Sequence, residues 1–392
     1  GYEVIDDFTI RFNLSEPFSP LLDGLSQVYL GIASPTALAS YSNNTYQWHQ
    51  VGTGPYRVEE IVPGDRVVLR RNEDYAWGPV FYAPVSNQSL DTIEFRFFTD
   101  PPTRSLALES GEIQMIGELL PTDTELLVGN PALQIFRVPI AGTPQQFFIN
   151  TRRAPGDEQA FRQALLYATN RTAIVDAVFQ GQSPLAYGPL TAATPYYDPG
   201  VAEKYPFDPD YARGLLQGIG YQDADSDGIL DRDGTPLELT MVFAPWNQMS
   251  DVAQLIQSQW RDIGIGVELI QVPDYPTLAD YAQSGEYDLI SVYEFALDAS
   301  VLNQFYSSDG ARNWSGASDP ELDEWLREAM RVAGEAERAQ LYAAIQDRIM
   351  EQALVLPIRD YVNLNGASAR LDGVIFSAHG WWPLLRNFQL TS

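Results

Sequence analysis

The chain has 392 residues, enough for two or three domains, and its 45% hydrophobic and 12% aromatic residues argue against intrinsic disorder. Its 52 acidic residues against 24 basic ones give a formal net charge of −28, which repels nucleic acid and anionic membrane surfaces and speaks against both as partners. The absence of cysteine excludes disulfides, iron–sulfur clusters and cysteine nucleophiles.

The first 142 residues are predicted to contain several strands and a helix. Apolar and polar residues alternate on both sides of a Pro63-Gly64-Asp65 turn, which is the pattern of a β-hairpin. Residues 8–14 and 93–98 each predict a further strand. A helix is predicted over residues 104–110, capped by Thr103 and ended by Gly111.

From about residue 143 strands and helices alternate along the chain. This strand–helix–strand order is typical of a parallel α/β layer, so the pattern as a whole predicts two α/β lobes. No apolar stretch is long enough to span a membrane. The predicted strands cover residues 146–150, 237–243, 267–270 and 354–358, and the predicted helices cover residues 158–179, 250–263, 320–333 and 335–352.

Catalytic motifs are missing from the sequence. The two histidines, His49 and His379, lie far apart, and Lys204 is the single lysine. There is no G-x-S-x-G elbow, no phosphate-binding loop and no H-E-x-x-H motif, so nucleophilic, nucleotide-dependent and zinc chemistry all lack support. We therefore expect a protein that is not an enzyme and requires no cofactor. A glycosidase that uses a carboxylate pair stays open, because 52 acidic residues always offer pairs.

One acidic loop has the pattern of a calcium site. It offers Asp223, Asp225, Asp227 and Asp231 at positions 1, 3, 5 and 9, and Ile229 between the last two. Gly228 at position 6 suits the sharp turn of such a loop. Gly234 stands where an EF-hand has its bidentate glutamate, so any Ca²⁺ site here is expected to be weak and structural. The alternative is an Asp-rich turn that hydrogen-bonds its own backbone.

A series of short motifs, in this order and spacing, resembles the solute-binding proteins of ABC importers in the oligopeptide, dipeptide and nickel class, which is solute-binding family 5. No single motif is specific, but together they cover nearly the whole chain. They are Gly52-Thr53-Gly54-Pro55-Tyr56, Arg71-Asn72-Glu73-Asp74-Tyr75, Thr103-Arg104-Ser105-Leu106-Ala107-Leu108, Phe161-Arg162-Gln163-Ala164-Leu165, Tyr287-Asp288, Asp319-Pro320-Glu321-Leu322-Asp323, Leu356-Pro357-Ile358 and Gly380-Trp381-Trp382.

The resemblance implies a two-lobe, periplasmic-binding-protein-like α/β fold with two hinge crossings and a solute held in the cleft. It also implies that the sequence lacks roughly the first hundred residues of a typical member, which leaves the first lobe incomplete at its N-terminus. On this alignment residues 1–50 are the tail of an inserted small domain. Residues 51–142 and 366–392 are then the first lobe, and residues 143–365 are the second lobe.

The resemblance also implies ligand-binding residues. Asp298, or Glu294 as second choice, falls near the acid that holds the ligand ammonium in peptide-binding members, and an acid in a closing cleft is a charge-assisted partner for an amine. Arg359 is a candidate for the ligand carboxylate, because Ala282 and Ser291 stand where some peptide binders have arginines.

Four further residues are candidates for the wall of the site. Trp246 and Asn247 follow a predicted strand, at the carboxyl end where α/β clefts open. Their matching positions in the family line the cleft. Tyr293 and Trp314 are weaker candidates, since each is as well explained as a core residue.

The resemblance implies an extracytoplasmic protein, soluble or lipid-anchored, that acts as a monomer and delivers a small peptide to a membrane permease by lobe closure. Three alternatives stay open. The same fold is used for an oligosaccharide, an opine or a metal chelate; the protein is a carboxylate-pair glycosidase; or it is a sensor or a binding domain of a larger protein.

Overall fold

A computed structural model describes residues 1–82 and 89–391, which fall into two compact units. Unit 1 consists of residues 1–23 and 139–362, and unit 2 consists of residues 24–138 and 363–392. These boundaries lie close to those drawn from the sequence between residues 142 and 143 and between residues 365 and 366. Residues 1–50 divide between the two units after Asp23, and their assignment as the tail of an inserted small domain stays a prediction.

The strands of the described residues are β1 (Tyr2–Asp6), β2 (Thr9–Phe12), β3 (Tyr56–Val62), β4 (Arg66–Arg71), β5 (Thr92–Arg96), β6 (Met115–Ile116), β7 (Leu133–Pro139), β8 (Gln145–Ile149), β9 (Asp231–Arg232), β10 (Thr235–Pro236), β11 (Glu238–Phe243), β12 (Gly266–Gln271), β13 (Leu289–Ile290), β14 (Val355–Arg359), β15 (Val362–Ser368), β16 (Leu371–Asp372) and β17 (Gln389–Leu390).

The helices of the described residues are α1 (Leu21–Ser26), α2 (Pro35–Ser40), α3 (Asn43–Tyr46), α4 (Pro101–Glu109), α5 (Pro121–Leu127), α6 (Gln159–Tyr167), α7 (Arg171–Phe179), α8 (Pro209–Gly218), α9 (Met249–Arg261), α10 (Tyr275–Ser284), α11 (Val301–Tyr306), α12 (Pro320–Ala329) and α13 (Glu335–Glu351). None of these helices is long and apolar enough to cross a membrane.

Unit 1 is built on a five-stranded sheet in the order β12-β11-β13-β8-β14. The strand β11 pairs in parallel with β12 and β13, which confirms the predicted parallel α/β layer. The strand β8 runs antiparallel to both of its neighbours, so the other four strands all point the same way. One continuous core covers the sheet, and its largest fully buried side chain, Trp260 of α9, donates to Thr169 Oγ1 at 3.0 Å.

Unit 2 contains two separate three-stranded sheets, in the orders β3-β4-β5 and β6-β15-β7, and the short pair β16-β17. The strands β3 and β4 form the predicted hairpin, with Val62 opposite Arg66. Among the described residues, unit 2 has far fewer buried apolar residues than unit 1. Three of them, Ala367, Leu371 and Phe388, form one small cluster.

Two helix predictions were wrong in detail. The predicted helix over residues 158–179 is two helices, because Asn170 leaves the helical conformation and its side chain accepts from the N–H of Ala173, which starts α7. The helix α4 is capped by Asp100 rather than Thr103. Since prolines fill its first two positions, the first free N–H belongs to Thr103, and it donates to Asp100 Oδ2 at 3.0 Å.

Candidate functional site

The directions of the strands bring several predicted site residues to one edge of the unit 1 sheet. The carboxyl ends of β11, β13 and β14 meet at this edge, and β8 starts there because it runs the opposite way. Trp246 and Asn247 follow β11, Tyr293 and Glu294 follow β13, and Arg359 ends β14. We call this the carboxyl edge. It is the edge at which open α/β sheets bind ligands.

A chain of hydrogen bonds connects the strand ends along the carboxyl edge. Arg359 Nε donates to Gln145 Oε1 at 2.6 Å, and Gln145 Nε2 donates to the carbonyl oxygen of Asn247 at 3.0 Å. Asn247 Nδ2 then donates to Tyr293 Oη at 2.7 Å. Because each of these groups is held by the next, residues at the ends of four strands are fixed in one arrangement.

The backbone at Asn247 is unusual and suits its residue type. Asn247 has φ of 52° and Gln248 has φ of 58°, both in the left-handed region. Asparagine tolerates this region better than most residues. The turn exposes Trp246, which keeps 36% of its surface accessible although it lies next to a buried strand. An exposed indole beside fixed amide groups is a surface that can stack on an apolar or planar ligand group.

Arg359 is a buried cation with 4% of its surface exposed. Its guanidinium carbon lies 3.9 Å from the ring centroid of Phe179 and 4.5 Å from that of Tyr361, and Nη1 donates to Ser183 Oγ at 2.8 Å. Burial lowers the pKa of Arg359 to about 10, so it stays protonated at neutral pH. Arg359 therefore holds the carboxyl edge together, and its contact with a ligand carboxylate stays a prediction.

Glu294 and Arg312 form an ion pair whose side chains remain partly open to solvent, with 37% and 29% of their surfaces exposed. The backbone of Glu294 is fixed by Thr143, which donates its N–H to the Glu294 carbonyl at 2.9 Å and accepts the Glu294 N–H at its hydroxyl at 2.8 Å. Gly142 makes this close approach possible, because a Cβ there would lie 2.1 Å from the Glu294 oxygen. A carboxylate and a guanidinium thus stand side by side and accessible.

Asp298 has a partner within the protein. Both of its carboxylate oxygens accept from Arg338, at 2.9 and 3.0 Å, and the two side chains are 12% and 7% exposed. Arg338 also lies over the rings of Tyr196 and Tyr342. Burial lowers the pKa of Arg338, but the hydrogen bonds that Arg338 donates to the Asp298 carboxylate raise that pKa above its usual value. A role of Asp298 toward a ligand ammonium stays a prediction, and it requires this buried pair to rearrange.

The two remaining predicted aromatic residues differ in accessibility. Tyr293 is half-buried and packs 4.6 Å from Tyr361, measured between ring centroids. Trp314 is 7% exposed, and its carbonyl oxygen accepts from Tyr287 Oη at 2.5 Å. Its ring stacks on Tyr275 at 6.4 Å. Tyr293 therefore belongs to the carboxyl edge, whereas Trp314 packs as a core residue.

The aspartate-rich loop brings three of its predicted ligands together. Carboxylate oxygens of Asp223, Asp225 and Asp227 lie within 4.8 Å of one another, and all three residues are exposed. Asp231 is not part of this group, and its Oδ2 accepts from the N–H of Ala224 at 3.2 Å. The other three carboxylates also accept backbone N–H groups of the loop, as the alternative of a self-bonded turn predicts. Ile229 is buried under the loop. The oxygen-rich donor set suits Ca²⁺, and its occupancy stays a prediction.

Sequence reasoning missed three residues of this region. Gln145 directly precedes the predicted strand over residues 146–150 and gives no signal of a binding role. Tyr275 begins α10, and its ring lies 5.5 Å from the guanidinium carbon of Arg312. Arg312 offered a weak signal, because it is one of only 24 basic residues and stands in a loop rich in glycine and aspartate. Its partner Glu294 is 18 residues away, so only the fold reveals the pair.

Comparisons with known proteins agree with this architecture. The model of the bacterial extracellular solute-binding proteins, family 5 Middle, matches residues 1–316. A glutathione-binding protein, GsiB, of Shigella flexneri is 27% identical over 91% of this chain and 67% of its own length. The nickel-binding periplasmic protein of Escherichia coli K12 is 28% identical over 80% of this chain and 60% of its own length.

Solved structures share the fold over the whole chain. NikA from Brucella suis, in complex with Fe(III)-EDTA, has a TM-score of 0.85 at 24% identity and is covered over 78% of its length. DppA from Helicobacter pylori, in complex with the peptide STSA, has a TM-score of 0.80 at 22% identity and is covered over 74%. The relatives are binding proteins and not enzymes. The chain therefore belongs to family 5 of the bacterial extracellular solute-binding proteins, with their mixed α/β periplasmic-binding-protein fold.

Proposed function

We propose that this protein binds a peptide-like solute at the carboxyl edge of unit 1 and hands it to the membrane permease of an ABC importer. The observation that carries the proposal is the accessible Glu294–Arg312 pair, since Glu294 lies at the same carboxyl edge as Trp246 and Asn247. A short peptide carries an ammonium and a carboxylate, and the pair offers one partner for each. The closing of two lobes around the solute, which the family resemblance implies, is part of the proposal.

The alternative solutes within the family differ in the side chains that each needs at the binding site. A bare nickel ion needs imidazole or similar ligands, but His49 and His379 both belong to unit 2. A metal chelate or glutathione asks for cationic and aromatic contacts instead, which Arg312 and Trp246 are able to provide. We therefore place a small peptide first and an anionic chelate second. An oligosaccharide would use Trp246 by stacking but carries no charge for the Glu294–Arg312 pair to bind.

The test is calorimetric titration of the protein with a dipeptide, a tripeptide, glutathione, a nickel–histidine complex and a maltooligosaccharide. We expect binding of peptides, and a loss of about 10- to 100-fold in affinity for Glu294→Gln and for Arg312→Met, the scale of a lost charged hydrogen bond. Glu324→Gln and Arg327→Met are matched controls, because they alter an exposed ion pair on α12. Peptide affinities that are equal in all four variants would contradict the proposed site.

A further inference from the structure

The Glu294–Arg312 pair uses only part of each charged group. Arg312 Nη1 donates to Glu294 Oε2. Among the residues that the structure describes, no group donates to Glu294 Oε1, and Arg312 Nε and Nη2 donate to none. Both side chains are partly exposed. The pair therefore offers the second oxygen of a carboxylate beside the free edge of a guanidinium.

Contacts from several elements hold the two groups in place. The guanidinium carbon of Arg312 lies 5.5 Å from the ring centroid of Tyr275, which begins α10, and 5.9 Å from that of Phe305 on α11. Thr143 binds both the N–H and the carbonyl of Glu294. Because these contacts fix both residues, the spacing of the two charges is set by the fold before a ligand binds.

The spacing of the pair limits which ligand charges match it. A carboxylate and a guanidinium in hydrogen-bond contact have their charge centres about 4 Å apart. The ammonium nitrogen and the carboxyl carbon of one α-amino acid are about 2.5 Å apart, whereas those at the two ends of an extended dipeptide are about 6 Å apart, and each further residue adds about 3.5 Å. A ligand that carries both charges on one carbon therefore lies alongside the pair, with its ammonium against Glu294 and its carboxylate against Arg312. Each of the four charges then has opposite charges as its neighbours.

The N-terminus of an ordinary peptide is a poorer match for the pair. The carbon that bears its ammonium carries an amide carbonyl, so with the ammonium on Glu294 the free edge of Arg312 would meet an uncharged oxygen. A carboxylate accepts both N–H groups of a guanidinium edge in parallel and also supplies a compensating charge, which a carbonyl oxygen does not. Without that charge, the ligand ammonium would lie close to the Arg312 cation with no carboxylate of its own beside it.

We propose that the Glu294–Arg312 pair selects solutes that carry an ammonium and a carboxylate on the same carbon, such as a free amino acid or a peptide linked through the side chain of its first residue. We call this ligand group the amino-acid head. Glu294 Oε1 accepts from its ammonium, and Arg312 Nε and Nη2 donate to its carboxylate. The inference rests on the proposed function, which assigns the pair to solute binding, and it narrows the ligand from peptides in general to those with such a head.

Two isomeric dipeptides test this selectivity. γ-Glutamylalanine and α-glutamylalanine have the same composition and the same net charge, but only the γ isomer keeps an ammonium and a carboxylate on one carbon. In calorimetric titrations we expect the γ isomer to bind at least about 10-fold more tightly, the scale of one charged hydrogen bond. Equal affinities, or tighter binding of the α isomer, would overturn the inference. This comparison of ligands needs no variant, so it does not depend on how a variant folds.

Two further ligands assign each charge to its partner. Glutarylalanine lacks the α-ammonium of γ-glutamylalanine, and γ-aminobutyrylalanine lacks its α-carboxylate. Each should bind the unchanged protein about 10- to 100-fold more weakly than γ-glutamylalanine. The missing ammonium should matter little in Glu294→Gln, and the missing carboxylate should matter little in Arg312→Met, because the partner of each is already gone. A preference for the γ isomer that survives in both variants would mean that the head binds elsewhere, which overturns the inference.

The same variants separate a failure of this inference from a failure of the proposed function. If the two isomers bind equally and both lose affinity in Glu294→Gln and Arg312→Met, the pair binds solute without selecting the head, and only the inference fails. If neither isomer binds, or if neither substitution changes any peptide affinity, the proposed site fails as well. Glu324→Gln and Arg327→Met again serve as controls on an exposed ion pair.

Discussion

At the scale of single residues, the buried pair of Asp298 and Arg338 allows the effect of a substitution on protein stability to be measured apart from its effect on ligand affinity. Its two oxygens accept from Arg338 deep in unit 1, so removing either partner leaves the other charge buried and unpaired. Breaking such a pair costs about 3–5 kcal/mol, whereas replacing both partners with apolar residues is often neutral. The pair therefore specifies local geometry more than it adds stability.

We predict that Asp298→Ala lowers the free energy of unfolding by about 3–5 kcal/mol, measured by urea denaturation, because Arg338 loses its partner. The double variant Asp298→Leu, Arg338→Met should recover most of this loss. Asp298→Ala also tests the sequence-based assignment. If Asp298 held a ligand ammonium, peptide affinity would fall in the folded variant, and if the residue is structural, the affinity of the folded fraction stays the same.

Asp360 is a second buried carboxyl group, next to Arg359 on the segment that leads into β15. It is 7% exposed, its Oδ2 accepts from the N–H of Ala192 at 2.9 Å, and its Oδ1 has no hydrogen-bond partner among the described residues. Burial raises the pKa of Asp360 to about 7, although the Ala192 N–H and Arg359 act in the opposite direction. Folding therefore favours the protonated form of Asp360.

We predict that Asp360→Asn stabilises the protein at pH 8 but not at pH 4. Below the unfolded pKa near 3.8 the carboxyl is protonated in both states, and above about 7 it must ionise in the folded state, so its penalty grows between these values. The full difference is at most about 4 kcal/mol. Urea denaturation across this pH range measures it, with Asp210→Asn as an exposed control. An equal gain at both pH values would show that Asp360 does not titrate in this range.

At the scale of elements, what the sequence allows one to predict depends on how far apart the interacting residues lie. The hairpin β3–β4 and the strands β11 and β12 follow from local alternation and turns, and the structure confirms them. The break between α6 and α7 was missed, because Asn170 is compatible with a helix until its side chain caps the next one. Trp246 and Asn247 were predictable from their place after a strand. The pairing of Glu294 with Arg312 was not, since it depends on how loops meet.

The aspartate-rich loop between α8 and β9 is the element for which we predict metal binding. We expect Ca²⁺ to bind with a Kd on the order of 10⁻⁴ to 10⁻³ M and Mg²⁺ more weakly, because the loop lacks the bidentate glutamate and three exposed carboxylates remain. Calorimetric titration with each ion measures this affinity. Asp225→Asn should abolish the calcium signal, and Asp280→Asn on the exposed side of α10 should leave it unchanged. No heat from Ca²⁺ at millimolar concentration would leave the loop as a self-bonded turn.

At the scale of the whole molecule, the two units differ in how much apolar surface each buries. Unit 1 has one continuous core that covers both faces of a five-stranded sheet, with aromatic residues such as Trp260, Phe147 and Tyr342 fully buried. Unit 2 divides its strands among three small sheets and has far fewer buried apolar residues in the described part of the chain. Since apolar burial is the main favourable contribution to folding, unit 2 should be the less stable unit.

We predict that the chain unfolds in two steps, with unit 2 first, because two compact units with separate core clusters need not unfold together. A matched pair of variants assigns the steps. Leu108→Ala in unit 2 and Leu322→Ala in unit 1 each delete a leucine that is at most 1% exposed, a change that costs about 2.7–5 kcal/mol. In scanning calorimetry Leu108→Ala should lower only the first transition and Leu322→Ala only the second. If both variants shift one common transition, the two units unfold as a single cooperative body, and the difference between their cores does not control the order of unfolding.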